Sequence, residues 1–358
     1  MRLRHFEAFA PVCPVCAGAG RAAPRLVLAH VFARTDDAIV AGMLHCPACQ
    51  HEYPVIDGVP AIVPDLRRLL GDRGLEMMLR DDLDPALESL LGDAIGPDSW
   101  LDATRATQST YAWDAYADLD PAEPDATDGP VPGAARRCLA RLLTLSDRTG
   151  PVDRVLDLGC AAGRTSFDLA TAHPEALVLG ADIHLGLLRL AARARDGHVS
   201  YPRRRIGLVY DRRRFDVAIP GADRVDFWAC DAMALPFAPG AAALTVALNL
   251  LDCVPDPRRL LESLAAATRP GGRILLATPY DWATRATPLE SWLGGHSQRA
   301  PHDGAGEAFL AALLNGDPTH AIPGLSVAAE LPSWPWHTRL HDRSAVLYRS
   351  HLLALRRS

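Results

Sequence analysis

The stretch Arg154-Val-Leu-Asp157-Leu-Gly159-Cys-Ala-Ala-Gly163-Arg164 decides the fold. An apolar run ends in an acid, and a glycine-rich turn then leads into a helix expected over Thr165–Ala172. Glycine lets the backbone approach a ligand where a Cβ would collide. One such turn proves little, but the downstream chain repeats the strand-then-acid pattern in order. A second strand, Ala176–Gly180, runs into Asp182, 25 positions after Asp157. A third, Val225–Ala229, runs into Asp231-Ala232-Met233, and a fourth is expected over Ala242–Leu248, ahead of Asn249. Arg269-Pro-Gly-Gly272 then turns into a fifth strand, Arg273–Thr278. Short apolar strands alternating with helices indicate a parallel sheet covered by helices on both faces.

This ordered set resembles the class I S-adenosylmethionine-dependent methyltransferases over about 180 residues. The resemblance implies an α/β fold, a Rossmann-like sheet flanked by helices. It also implies that S-adenosylmethionine is the cofactor. Asp157, Gly159, Ala161 and Gly163 would line its methionine end, with Asn249 beyond the fourth strand. Asp182 would accept from the ribose hydroxyls, and Asp231 with Ala232 would face adenine. Ala161 departs from the family's pattern, which has glycine there; its methyl would tighten the pocket. A nicotinamide-dependent dehydrogenase is the rival on such a sheet. It requires Gly-x-Gly-x-x-Gly to cradle a pyrophosphate, which Gly159-Cys-Ala-Ala-Gly163 does not supply.

Upstream, Cys13-Pro-Val-Cys16 and Cys46-Pro-Ala-Cys49 form two matched knuckles with 29 residues between them. Two Cys-x-x-Cys turns supply the four soft ligands of a tetrahedral zinc ion, with no position left for water, so the expected role is structural. The long spacer implies a hairpin carried between the knuckles, and His45 and His51 are bystanders. Cys46 to Pro60 resembles the short zinc ribbon of the tRNA-methyltransferase activator family, which implies a surface for docking a partner or a neighbouring domain.

The expected organisation is a zinc ribbon over 1–63, a helical linker with cofactor-covering helices over 64–150, and a methyltransferase domain over 151–358. Leu66, Leu69 and Leu70, and later Leu139, Leu142 and Leu143, fall at helix-face spacing. Asp118–Pro132 is acidic and Pro-rich and is expected to be an exposed loop. Ser109–Tyr116 is expected to fold over the cofactor or to dock as a hydrophobic helix. An insertion over 198–224, expected to be a hairpin beside the cleft, carries two arginine triplets, Arg203–Arg205 and Arg212–Arg214, around an apolar Ile206–Tyr210 segment expected to be a strand. Those arginines either make surface ion pairs or clamp an anionic substrate group.

The chain has 358 residues, 49% hydrophobic and 22% charged, with a net charge of −6. That is globular composition, and the acidity weighs against a nucleic-acid wrapper. All 37 cations are arginines, which excludes a Schiff-base lysine and a P-loop lysine. No apolar run approaches the roughly 20 residues of a membrane span, and a cytoplasmic protein is expected.

The methyl acceptor is harder to read. Tyr280, Asp281 and His296 are the candidate orienting or deprotonating groups. Trp282, Trp292, Trp334 and Trp336 lie beyond residue 280 and either line a substrate pocket or pack C-terminal helices onto the sheet. This tail, with His341, loosely resembles the methyltransferase domain of ovothiol synthesis, which methylates a mercaptohistidine. That implies a small polar, amino-acid-like or natural-product acceptor, methylated on nitrogen or sulfur. An RNA or protein methyltransferase that docks substrate on the ribbon, and a non-catalytic scaffold, are the alternatives.

Overall fold

The structure is a computed structural model and describes residues 1–69, 85–124, 129–146, 150–315 and 321–358. Leu70 and part of the acidic stretch expected to be a loop lie outside the described residues.

The N-terminal region holds α1 (Leu3–Phe9), α2 (Pro14–Gly18) and four antiparallel strands, β1 (Val27–Arg34), β2 (Ile39–His45), β3 (Glu52–Ile56) and β4 (Val59–Ile62). The hairpin between the knuckles is β1–β2. Helices α3 (Pro85–Ile95), α4 (Trp100–Tyr116) and α5 (Ala134–Leu145) follow. Ser99 caps α4, its hydroxyl accepting from the Asp102 amide. The start of α5 is capped from a distance: the Asp114 carboxylate of α4 accepts from the amides of Gly133, Ala134 and Ala135. Three otherwise orphaned donors are satisfied this way, and α4 is fixed against α5.

From residue 151 the chain alternates strands and helices as read from the sequence. Its elements are β5 (Arg154–Leu158), α6 (Arg164–Ala172), β6 (Leu177–Asp182), α7 (Leu185–Arg195), β7 (His198–Ile206), β8 (Val209–Asp216), β9 (Val225–Cys230), β10 (Ala242–Leu248), α8 (Pro257–Ala267), β11 (Thr268–Thr278), α9 (Gly306–Leu314), β12 (Leu325–His341) and β13 (Ser344–Arg357). Strand order in the large sheet is β1-β2-β3-β4-β9-β6-β5-β10-β11-β13-β12. From β4 to β11 every pairing is parallel, while β13 runs antiparallel to β11 and to β12. The protein is a mixed α/β fold on a mostly parallel sheet. β9 and β10 are buried along nearly their whole length, as strands covered on both faces must be.

Chain order reverses between β5 and β10, so the crevice at their carboxyl ends is where such sheets bind ligands. β4 pairs with β9 through Ala61–Ala229 and Ile62–Cys230, which makes the N-terminal strands a continuation of the parallel sheet. Ribbon side chains Phe9, Leu26, Ile39 and Leu44 share one core with Leu156, Leu179 and Trp228.

Two expectations are corrected. The tail holds helix α9, but beyond it β12 and β13 form a long antiparallel hairpin, and Trp334 and Trp336 pack on the core from this hairpin, not from a helix. In the insertion, β7 and β8 form the expected hairpin, but the arginine triplets lie within its two strands, and Ile206–Tyr210 is not one strand because it contains the Gly207–Leu208 turn. The described part of the acidic stretch is mostly exposed, as expected, apart from Asp120, which is 8% exposed and accepts from Arg213. Glu123 beside it accepts from Arg203 and from the Trp113 indole. No helix among the described residues is long and apolar enough to cross a membrane.

Candidate active site and metal centre

The loop after β5 turns through three left-handed residues, Gly159 (φ 71°), Ala161 (φ 47°) and Gly163 (φ 84°). Ala161 is the costly one, because a Cβ disfavours this region. Its amide donates to Asp182 Oδ2 at 2.9 Å, and the His184 amide donates to Oδ1 at 2.8 Å. Asp182, at the end of β6, thus fixes the tip of the loop. Each of its oxygens keeps a second lone pair for a ligand.

Asp157 is 2% exposed and accepts from the hydroxyls of Thr165 and Ser166, both at 2.7 Å. Burial lifts its pKa to about 6 against those two hydrogen bonds. It braces the start of α6 from beneath the loop. Gly163 is a packing glycine: a Cβ there would come within 2.7 Å of Phe227 and Ala191. Gly159 faces Leu250, whose side chain would stand 3.0 Å from an added Cβ.

Asp231 follows β9 and accepts from the Met233 amide at 2.9 Å, with Ala232 half-buried between them. Asn249 (φ 50°) follows β10, and its buried Oδ1 has no partner. Ile183, beside Asp182, is 36% exposed. The sequence reading passed over it, although an apolar residue directly after a strand-ending acid was the available signal. An acid with spare lone pairs, an orphaned amide oxygen and an uncovered apolar side chain fit a nucleoside-bearing cofactor in this crevice.

Helix α4 lies over it. The Tyr116 hydroxyl donates to the Ala162 carbonyl at 2.6 Å, and Arg164 donates to the Ala115 carbonyl and to Asp118. A hollow beside Asp182 is lined by Thr104, Thr107 and Gln108 of α4 and by His184, Gly186 and Leu187. Tyr111 is 46% exposed, yet crowding in the cleft and then the charges of Cys253 and Asp182 raise its hydroxyl pKa.

Beyond β11 the candidate acceptor groups separate. Tyr280 (φ 56°) hydrogen-bonds His351 Nδ1 at 2.8 Å, a buried histidine on β13 that the sequence reading did not single out. His296 is exposed, and His341 accepts the Arg343 amide near the hairpin tip. Trp282 and Trp292 stack at 6.5 Å. Asp281 is exposed, and its amide donates to Asp252 Oδ2 at 2.9 Å. Asp252, also missed, is 4% exposed; burial raises its pKa to about 6, while the Asp281 amide and the Thr278 hydroxyl favour its charged form.

In the ribbon, Cys13, Cys16, Cys46 and Cys49 bring their sulfurs within 4.8 Å of one another. Cys13 and Cys49 lie 3.6 Å apart, and Cys16 and Cys46 lie 3.9 Å apart. Ligands about 2.3 Å from a tetrahedral zinc stand about 3.8 Å from each other, so the four thiols fit such an ion. The amides of Cys16 and Cys49 point back at the sulfurs of Cys13 and Cys46. The fully buried Tyr53 reaches Cys13 Sγ at 3.1 Å.

A buried charge cluster anchors the ribbon. Asp226 of β9 is fully buried and accepts from the Arg2 amide, Arg195 and the Trp228 indole. Burial opposes its charge, but the N-terminal ammonium and Arg195 hold its pKa well below the usual carboxylate range. In the insertion, Arg203 is 8% exposed, forks onto Glu123 at 2.7 and 2.8 Å, and reaches Asp342 at 2.8 Å. Arg212 pairs with Glu88.

Residues 133–304 match the family described as "Methyltransferase domain", and residues 12–58 match the family described as "Trm112p-like protein". An uncharacterized methyltransferase of Mycobacterium leprae (strain Br4923) is 29% identical over 175 residues, 43% of this chain and 63% of the relative. A demethylmenaquinone methyltransferase of Clavibacter sepedonicus is 31% identical over 138 residues, 38% of this chain and 44% of the relative. The chain therefore spans less than two thirds of these relatives. Among solved structures, the Haloferax volcanii complex containing the Trm112 methyltransferase activator is 18% identical, with a TM-score of 0.36. That match covers 63% of this chain and 88% of the other. Residues 133–304 are thus similar to methyltransferase domains, and residues 12–58 before them to Trm112-like proteins.

Proposed function

We propose that this chain is an S-adenosylmethionine-dependent methyltransferase with a zinc-stabilised ribbon built into its own sheet, acting on a small polar acceptor. The observation that carries it is Asp182, which ends β6 beside the β5 loop and keeps lone pairs free at the point where chain order reverses. In this proposal Asp182 accepts from the ribose hydroxyls, and Ile183 and Ala232 flank the adenine, with Asp231 at its edge. Loop 159–163 and Asn249 meet the methionine end. S-adenosylmethionine supplies a methyl group already activated on a sulfonium. The protein's part is then positioning and exclusion of water, with Tyr111 and α4 roofing the cleft. Tyr280, Asp281 and His296 stay the proposed orienting groups. Tyr280 acts through His351, and exposed His296 serves only an acceptor that reaches it.

Zinc in the four-cysteine site would hold the ribbon's fold, since four thiolates leave no open position. The ribbon's docking strand, β4, is occupied by β9 of the same chain, which favours an internal brace over a surface for RNA. Nitrogen or sulfur is the proposed acceptor atom, although the Clavibacter sepedonicus relative is named for demethylmenaquinone.

Thermal melting with added ligand tests this. S-adenosylhomocysteine should stabilise the protein by about 2.7 kcal/mol at a hundredfold excess over its Kd. Stabilisation by NAD, with none by S-adenosylhomocysteine, would transfer the site to the dehydrogenase reading.

A further inference from the structure

The loops after β10 and β11 place two carboxylates close enough for their charges to interact, and one oxygen of the pair is unused. Asp252 is 4% exposed, its Oδ2 is taken by the Asp281 amide, and its buried Oδ1 has no hydrogen-bond partner. Its carbonyl accepts from the Thr287 hydroxyl, so the loop is pinned and the side chain is held in place. Around it stand Asp281, Cys253, Tyr111 and Tyr348; burial first, and then the charge of one or both aspartates among other groups, raises the pKa of the last three. Arg285 reaches the edge of the group and is itself exposed.

A buried carboxylate oxygen without a donor is costly, and the costs are removed by a ligand that brings a charged N–H. The tyrosine hydroxyls beside it suit the same ligand, because each can accept from an N–H; that of Tyr348 hydrogen-bonds Asp281. From this geometry we infer that Asp252, flanked by Asp281, Tyr111 and Tyr348, forms the acceptor subsite for a protonated nitrogen, so that the acceptor is a small amine. This rests on the site being a methyltransferase cleft and names the acceptor's chemistry. The carboxylate both binds the ammonium and takes its proton, leaving a nitrogen lone pair. That pair forms the N–CH3 bond as the S–CH3 bonding electrons stay on sulfur. The raised pKa of Asp252 moves it toward that of the amine, which suits proton acceptance.

The test uses the full chain and matched probes that differ only in ammonium against hydroxyl: 2-phenylethylamine with 2-phenylethanol, and ethanolamine with ethylene glycol. Each is titrated calorimetrically into S-adenosylhomocysteine-loaded protein and assayed for label transfer from S-adenosylmethionine. An amine should bind and react better than its alcohol by at least about tenfold, as expected for a charge-assisted contact at a buried carboxylate. Asp252→Asn should erase that preference with S-adenosylhomocysteine affinity within twofold. Equal or reversed preference in the wild type, or no amine bound, overturns the inference without needing the variant. A tenfold loss of S-adenosylhomocysteine affinity in Asp252→Asn also overturns it, by giving the carboxylate to the cofactor's own ammonium. Wild-type protein that binds no S-adenosylhomocysteine defeats the methyltransferase proposal itself, a distinguishable failure.

Discussion

The Ala161 amide donates to the Asp182 carboxylate at 2.9 Å and ties the tip of the β5 loop to the end of β6. One side chain therefore shapes the loop and presents lone pairs to whatever fills the crevice. The hydrogen bond also compensates the left-handed backbone that Ala161 adopts at φ 47°.

Replacing Ala161 with glycine should therefore stabilise the fold. The left-handed conformation costs an L-residue roughly 1–2 kcal/mol, and glycine's extra freedom in the unfolded chain returns part of it. Denaturant unfolding of Ala161→Gly should show a gain of about 0.5–1 kcal/mol, with S-adenosylhomocysteine affinity within twofold. Lower stability would mean that the Ala161 methyl makes contacts that outweigh the strain.

Metal removal should reach beyond the ribbon. Its apolar side chains share a core with Trp228 and Leu156, and β4 covers the edge of β9. A strong chelator, or Cys46→Ala, should lower the melting temperature of the whole chain by about 5 °C or more and expose that edge. Elemental analysis should give one zinc per chain. A melting curve indifferent to chelation, with no zinc found, would contradict the structural role.

Arg203 should prove structural. Its guanidinium is shared between Glu123 and Asp342 and is 8% exposed, so no face is left to clamp a substrate. Arg203→Ala strands the Glu123 carboxylate and should destabilise by about 3 kcal/mol, as broken buried pairs do. Ligand affinity in the folded variant should stay within twofold. A variant of normal stability with a raised KM would restore the substrate clamp.

Asp157 should make its own mark on the pH dependence of stability. Its folded pKa, about 6, lies above the ordinary value of 3.8, so the folded state holds the proton more tightly. Its contribution is complete below about pH 4 and is lost as pH rises to about 6. Relative to Asp157→Asn, wild-type stability should fall by about 3 kcal/mol across that window and stay level above it. Urea unfolding of both proteins from pH 4 to pH 8 measures the difference, and parallel profiles would contradict it.

The sequence was most legible where local chemistry and fold agree. β10 matches its expected bounds, and the acids ending β6 and β9 stand where a strand-then-turn pattern puts them. The cysteine knuckles were readable because ligand type and spacing are set by the metal. Other features depend on partners far along the chain. Gly163 reads only as a ligand-facing glycine, and the packing of Phe227 and Ala191 against its Cα is a second demand that the fold alone shows. Asp120 and Glu123 read as a solvated acidic loop because their arginines lie about 80 to 90 residues later, in β7 and β8. Asp252 carried no local motif, and only the approach of the Asp281 amide and the burial around it mark it out. Tyr280 and His296 looked like one group because both lie in the tail. The fold instead turns Tyr280 to His351 on β13.

The most direct measurement is calorimetric titration of zinc-loaded wild type and Asp182→Ala with S-adenosylhomocysteine. Binding to wild type, weakened by about a hundredfold or more in the variant, is the predicted result, because a charged hydrogen-bond acceptor to the ribose and the anchor of the Ala161 amide are lost together. Equal affinity in the two proteins, or no binding to a folded wild type, would contradict the assignment of this crevice to the cofactor.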